Sequence, residues 1–224
     1  MTDINNLQIT NVHGTSHTAG TTEKFKAIVI TANRVAREFN GGALDTCIRT
    51  SYALAAALTD LGYADARPVR VEAASFPDDR ELQHVILGSL RPRRRAGDGY
   101  WWGHLAVCIG QSWLLDPTLD QSNDTNGWAD AGVAVEPVAV PLTPEFWDLD
   151  LRHRHVVWAR SPTVATRYAL VPQKGFARAP DARPSRWRPL AKEITEAIRE
   201  PQQATRRLDE NERFRWEVMS MLGR

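Results

Sequence analysis

Only two cysteines, Cys47 and Cys108, occur in a chain of 224 residues. So few exclude a fold stapled by several disulfides and suit a reducing compartment. An excess of one charge is missing too. Lys and Arg number 28 against 27 Asp and Glu, a formal net charge of +1, so no overall field draws the chain to nucleic acid or anionic lipid. No apolar run approaches the ~20 residues that a membrane span needs. The opening Met1-Thr2-Asp3-Ile4-Asn5-Asn6 lacks the basic segment and apolar core of a signal peptide. A cytoplasmic protein with no membrane partner is therefore the expectation. What is present is ordinary globular composition, 42% hydrophobic and 25% charged. The length suits one domain, or one domain with an appendage, and it can bury a core without disulfides or metals.

Residues 1–20 are polar and rich in Thr, Asn, His and Gly. They read as a flexible arm ahead of a domain spanning 21–172. Phe25, Ile28, Val29, Ala32, Val35, Ala36 and Phe39 recur at three- and four-residue steps, which predicts a helix over 22–39, stopped by Asn40-Gly41-Gly42. A second helix is expected from Asp45 or Thr46 to Leu61. It has an Ala-rich middle for close packing, and Gly62 ends it. Strand-like runs follow at 68–73, 85–90, 101–109, 113–115, 133–140, 156–160 and 166–171. Gly110-Gln111-Ser112 makes a short turn between the third and fourth, and 116–132 reads as a long polar loop. Residues 173–224 form a further unit. Pro180, Pro184 and Pro189 among arginines predict a strap, with terminal helices at 193–199 and 209–222. Phe214, Val218, Met221 and Leu222 would make the apolar face of the last helix. Helices first and strands afterwards predict an α+β fold, with N-terminal helices packed on an antiparallel sheet and a C-terminal helical extension.

Three residues stand in an order that suits acyl transfer. Cys47 sits at a helix start (Ala43-Leu44-Asp45-Thr46-Cys47). His104 opens the run His104-Leu105-Ala106-Val107-Cys108-Ile109, and Asp116 closes Trp113-Leu114-Leu115-Asp116 ahead of Pro117-Thr118. If these runs pair as neighbouring strands, imidazole and carboxylate meet side by side and the helix delivers the thiol. A thiol of pKa ~8.5 is mostly protonated at neutral pH, and a helix N-terminus and an adjacent imidazole both favour the thiolate. Asp116 would accept the other ring N–H of His104 and fix its tautomer. The thiolate then attacks a carbonyl, His104 protonates the leaving group, and the acyl-enzyme passes to water or an amine. The Cys47 backbone N–H is a natural oxyanion donor, with Asn40, Gln111 and Trp101 as candidates by type for a second.

This arrangement resembles the transglutaminase-like superfamily within the broader papain-like group. The resemblance runs from Ala43 to Asp120. It includes Cys47, the stretch Ala53-Leu54-Ala55-Ala56-Ala57-Leu58, Leu61-Gly62-Tyr63 and Ala66-Arg67, then His104, Trp113, Asp116-Pro117-Thr118 and Asp120. It implies a papain-like fold and a catalytic triad of Cys47, His104 and Asp116. No cofactor is expected. Departures are visible. Leu105 follows the histidine where many relatives have Ala then Trp, Asp45-Thr46 stand in place of a Gly-x-Cys, and 75–99 is long for a compact member. Arylamine N-acetyltransferases share the Cys-His-Asp order. The substrate subgroup therefore stays open, with hydrolysis of a peptide, isopeptide or other amide bond preferred. Amine transfer, small-molecule acyl transfer and a non-catalytic binding module that keeps the fold are the rivals.

Other residues carry weaker signals. Cys108 shares strand parity with His104 but stands four residues away, ~13 Å along a strand, and reads as core. His13 with His17, and His153 with His155, have ligand-like spacing but no supporting Cys or carboxylate cluster, so no metal is expected. Arg91, Arg93, Arg94 and Arg95 lie beside Tyr100, Trp101 and Trp102. The patch is too short for nucleic acid to be an expected partner. Standing just ahead of His104, it makes Trp101, Trp102 and Arg94 candidate substrate-binding residues for a peptide, protein or small acyl substrate.

Overall fold

The structure is a computed structural model that describes residues 8–10, 16–42, 46–78, 84–88, 103–124, 128, 132–148, 155–171 and 179–221. It is a mixed α+β fold of helices against an antiparallel, nearly closed sheet. Two helices come early, α1 (Ala19–Phe39) and α2 (Cys47–Asp60), after a small ladder of β1 (Gln8–Thr10) on β2 (Ser16–Thr18). The lead-in expected to be irregular thus carries a two-stranded pairing. The sheet follows, with β3 (Ala66–Pro77), β4 (Val85–Leu87), β5 (His104–Ile109), β6 (Trp113–Asp116), β7 (Val138–Pro141), β8 (Val156–Arg160) and β9 (Val164–Leu170). Its order is β7-β6-β5-β3-β9-β8, and β4 also pairs with β3. The end strands β7 and β8 curl back alongside each other.

Strand β3 is the organising element. One edge pairs with β9, from Val71 opposite Leu170 to Pro77 opposite Val164. The other edge takes β5 and then β4 in line, with Val71 opposite His104 and Ala73 opposite Leu87. Strand alternation splits the apolar residues into two cores. Val69, Val71, Ala73, Ala106, Cys108, Leu114, Val140, Val157 and Tyr168 pack inside the curled sheet. Val107, Trp113 and Leu115 point the other way, into the helices.

Helix α2 fills the space between the sheet and the other helices. Ala53, Leu54, Ala57 and Leu58 are fully buried, each leucine contributing about 2–3 kcal/mol by leaving water. The helix ends as the sequence predicts. Tyr63 N donates to Leu58 O and Gly62 N to Thr59 O, a closure that needs the positive φ of Gly62 (96°). Helix α1 buries its expected stripe except Phe39, which is exposed.

Three expectations need correction. The proline-rich strap is largely helical: α3 (Pro184–Arg199) begins nine residues before 193, and α4 (Pro201–Met221) follows. Pro184 occupies the first turn, where no N–H is needed, and Pro189 is carried inside the helix. Burial of Leu190, Ala191, Ile194 and Ala197 in the core shared with α1 and α2 offsets its missing hydrogen bond. Second, 116–132 is not simply a polar loop. A 3-10 turn covers Leu119–Asp124, and Leu119 and Trp128 are fully buried inside the curled sheet. Third, the strand expected over 133–140 is confined to β7, although Val133 and Val135 remain buried. The side chains of Phe214, Val218, Met221 and Leu222 lie outside the described residues.

Candidate active site

The local sequence leaves the start of α2 open. Cys47 is its first helical residue, so its N–H is among the four with no partner inside the helix. Thr46, at the cap position, makes no side-chain cap, and its hydroxyl lies 3.2 Å from that of Thr50. No carboxylate stands in the first turn to compete for the positive end of the helix dipole. One turn further on, Ser51 Oγ donates to Leu105 O at 2.8 Å and ties the helix to β5. Cys47 is thereby held over the start of that strand. Its Sγ lies 3.9 Å from Gly103 O and within hydrogen-bonding reach of the His104 ring.

His104 and Asp116 meet through strand register. Val107 pairs with Leu115, so one step along β6 Asp116 falls opposite Ala106, on the sheet face that His104 shares. His104 Nε2 and Asp116 Oδ2 are 2.7 Å apart, which leaves Nδ1 for the thiol. Both groups are sealed from solvent, at 1% and 0% exposure, and Cys47 is 7% exposed. Burial alone would lower the imidazole pKa. The Asp116 charge and hydrogen bond outweigh it, with a smaller contribution from Cys47, and His104 is pushed up to about 10. At neutral pH it is an imidazolium.

The carboxylate is held from three directions. Asp116 Oδ1 accepts from Thr118 N at 3.1 Å, and Oδ2 accepts from Tyr168 Oη at 3.0 Å as well as from His104. The next residue is anchored too: Asn33 Nδ2 of α1 donates to Pro117 O at 2.8 Å and to Asp120 Oδ2 at 3.0 Å. Arg37 reaches the same Asp120 oxygen at 3.3 Å. Burial pushes the Asp120 carboxyl up, while Asn33 and Arg37 pull it down and Asp116 adds to the rise.

Gly88 closes the site from behind. The chain leaves β4 there with φ 76° and lies against the backbone of His104. A Cβ at this position would stand 2.4 Å from Val71 O and 2.6 Å from His104 N. Only glycine tolerates both the backbone angle and the contact.

The three residues expected to form a triad therefore stand together. Trp101, Trp102 and Arg94 lie outside the described residues. Asn40 is committed elsewhere, donating to Ala36 O at 2.7 Å and accepting from Arg49 at 2.6 Å. Gln111 sits in the β5–β6 turn, at the far end of β5 from His104. Neither is placed as a second oxyanion donor. Cys108 is fully buried in the inner core, and burial pushes its thiol up to about 12 despite the opposing pull of Arg67. Both cysteines are free. Among the described residues no group of three or more His, Cys, Asp or Glu side chains is placed to hold a metal. No helix among them is long and apolar enough to cross a membrane. Tyr168, Asn33 and Gly88 were not singled out by the sequence. Each sits far along the chain from its partner, and only the hydrophobic alternation around Tyr168 hinted at an inward-facing position. Compared with protein-family models, with curated proteins and with solved structures, the chain matches none.

Proposed function

We propose that the protein is a cysteine enzyme of the transglutaminase-like, papain-like kind. In this reading it performs acyl transfer through Cys47, His104 and Asp116, with hydrolysis of a peptide, isopeptide or other amide bond as its reaction. The observation that carries the reading is the chain of contacts from the thiol at a helix start, through a buried imidazolium, to a carboxylate held by His104, Thr118 and Tyr168. Buried charged groups of this kind are concentrated where chemistry is done.

The steps follow from the roles. The Cys47 sulfur, with its proton on His104 Nδ1, attacks the carbonyl carbon, and the oxygen takes the negative charge. The N–H of Cys47 stabilises that oxygen. When the C–N bond breaks, His104 gives its proton to the leaving amine, and the acyl group remains on sulfur as a thioester. Water then attacks the thioester while His104 takes its proton. The sulfur leaves with the electron pair, and a carboxylic acid departs. Asp116 holds Nε2 throughout, so that the ring presents Nδ1 to sulfur and substrate in turn.

An activated ester tests this without knowledge of the substrate. Addition of p-nitrophenyl acetate is expected to release a burst of one p-nitrophenolate per chain and leave an acetyl group mapped to Cys47. The burst is expected to vanish in Cys47→Ala and in His104→Ala. A folded protein that gives no burst, or an adduct elsewhere, would count against the reading. A primary amine added after the burst separates the two fates: faster loss of the adduct to an amide product would favour amine transfer over hydrolysis.

A further inference from the structure

We propose that the Tyr168 hydroxyl is a positioning group of this site, setting the direction of the Asp116 carboxylate and through it the proton position on His104; the assignment rests on the triad reading above. The contact that suggests it is specific. Tyr168 Oη lies 3.0 Å from Asp116 Oδ2, the same oxygen that His104 Nε2 approaches at 2.7 Å. Tyr168 and Asp116 are both fully buried, so no water competes for that oxygen.

Fold explains how the hydroxyl gets there. Tyr168 stands opposite Ala73 on β3 and Val157 on β8, with its ring in the core of the curled sheet. Strands β3 and β5 separate β9 from β6 in the sheet, so the phenol reaches the carboxylate at the end of β6 through the interior of the curled sheet. A phenylalanine would fill the same apolar space. The hydroxyl is therefore the part that packing does not require. Burial and the neighbouring Asp116 both keep the phenol protonated well beyond its usual range, so it serves as a donor at every working pH.

Two donors on one oxygen do two things. They compensate for the water that a carboxylate gives up on burial. They also fix the carboxylate plane, because Thr118 N holds the other oxygen at 3.1 Å. The imidazole then meets a carboxylate that cannot swing. Other groups bear on the same carboxylate and will colour any pH profile. Asp120 follows on the 3-10 turn, Arg37 of α1 pairs with Asp120, and Cys47 of α2 reaches His104.

The test reads the rate of Cys47 alkylation by iodoacetamide against pH, with the adduct mapped by mass spectrometry and folding checked by thermal melting. In Tyr168→Phe the carboxylate loses a donor to its charged form, so the acid limb of the profile is expected to move up by on the order of one pH unit. At pH values on the acid side of that limb the rate falls accordingly by about tenfold. Site-specific 3-fluorotyrosine at 168, a stronger donor of the same size, is expected to move the limb the other way, and it decides the matter if the phenylalanine variant does not fold. In an Asp116→Asn background either change at 168 is expected to do nothing further, because the hydroxyl acts through that carboxylate. Profiles that superimpose on the wild type would overturn the assignment while leaving the triad intact. So would an effect at 168 that persists in Asp116→Asn, which would mark a packing role. Slow labelling that does not depend on His104 in the wild type would overturn the triad reading and this assignment with it.

Discussion

The two cysteines of this chain occupy opposite kinds of environment. Cys47 begins a helix, where the first N–H groups have no partner within the helix, and lies beside an imidazolium. Cys108 lies inside the curled sheet on the strand that His104 opens, with apolar neighbours and a thiol pushed up to about 12. Both are buried and both are free. Burial alone therefore does not separate the cysteine proposed to be reactive from the one proposed to be inert. What separates them is what the burial brings close: for Cys47 an imidazole already committed to a carboxylate, for Cys108 methyl and methylene groups.

Removing the imidazole attacks the difference most directly. His104→Ala is expected to lower the rate of Cys47 acylation by 10²–10⁴-fold, the usual contribution of a positioned acid–base group, as read by p-nitrophenolate release. The same residue makes stability depend on pH. His104 is held at about 10 in the folded chain against ~6.5 unfolded. Its stabilising contribution is thus fully present below ~6.5 and is lost as pH rises through about 10. Urea unfolding is expected to show a loss between pH 6 and pH 10.5 in the wild type that exceeds the loss in His104→Gln, by about 5 kcal/mol at most.

A backbone change comes next in size. Gly88→Ala forces a Cβ into Val71 O and His104 N at a positive φ, and is expected to destabilise by roughly 3 kcal/mol or more while slowing Cys47 labelling. Gly41→Ala is the matched control. It has a similar φ of 67° but open space around it, so about 1–2 kcal/mol is expected, with Cys47 chemistry unchanged. Smallest of all, Cys108→Ala is expected to cost about 1–2 kcal/mol through a small cavity and to leave the rate at Cys47 unaltered, as checked by denaturation and labelling.

The sequence carried the parts of this comparison that depend on local pattern. Apolar spacing marked α1 and α2, and Gly62 marked the end of α2. The alternation on either side of Gly110-Gln111-Ser112 placed His104 and Asp116 on neighbouring strands, from which their bond follows by register. Its distance from His104 along the strand assigned Cys108 to the core. The parts it did not carry depend on distant chain segments. Tyr168 reaches Asp116 across the width of two strands and Asn33 reaches Pro117 from a helix, and nothing near either residue announces a partner. Gly88 resembles any turn glycine until β4 and β5 are seen to follow one another along the same edge of β3. Prolines misled at 184 and 189 because the first stands where no N–H is needed and the apolar face beyond the second offsets its missing hydrogen bond.

The most direct measurement is a competition within one molecule. The native protein is treated with limiting iodoacetamide at pH 6, and modification of Cys47 and Cys108 is quantified by mass spectrometry in the wild type and in His104→Ala. The account predicts rapid modification at Cys47 alone, lost when the imidazole is removed, with Cys108 reacting only after denaturation. Equal and slow modification of the two thiols in the folded wild type, indifferent to His104, would contradict it.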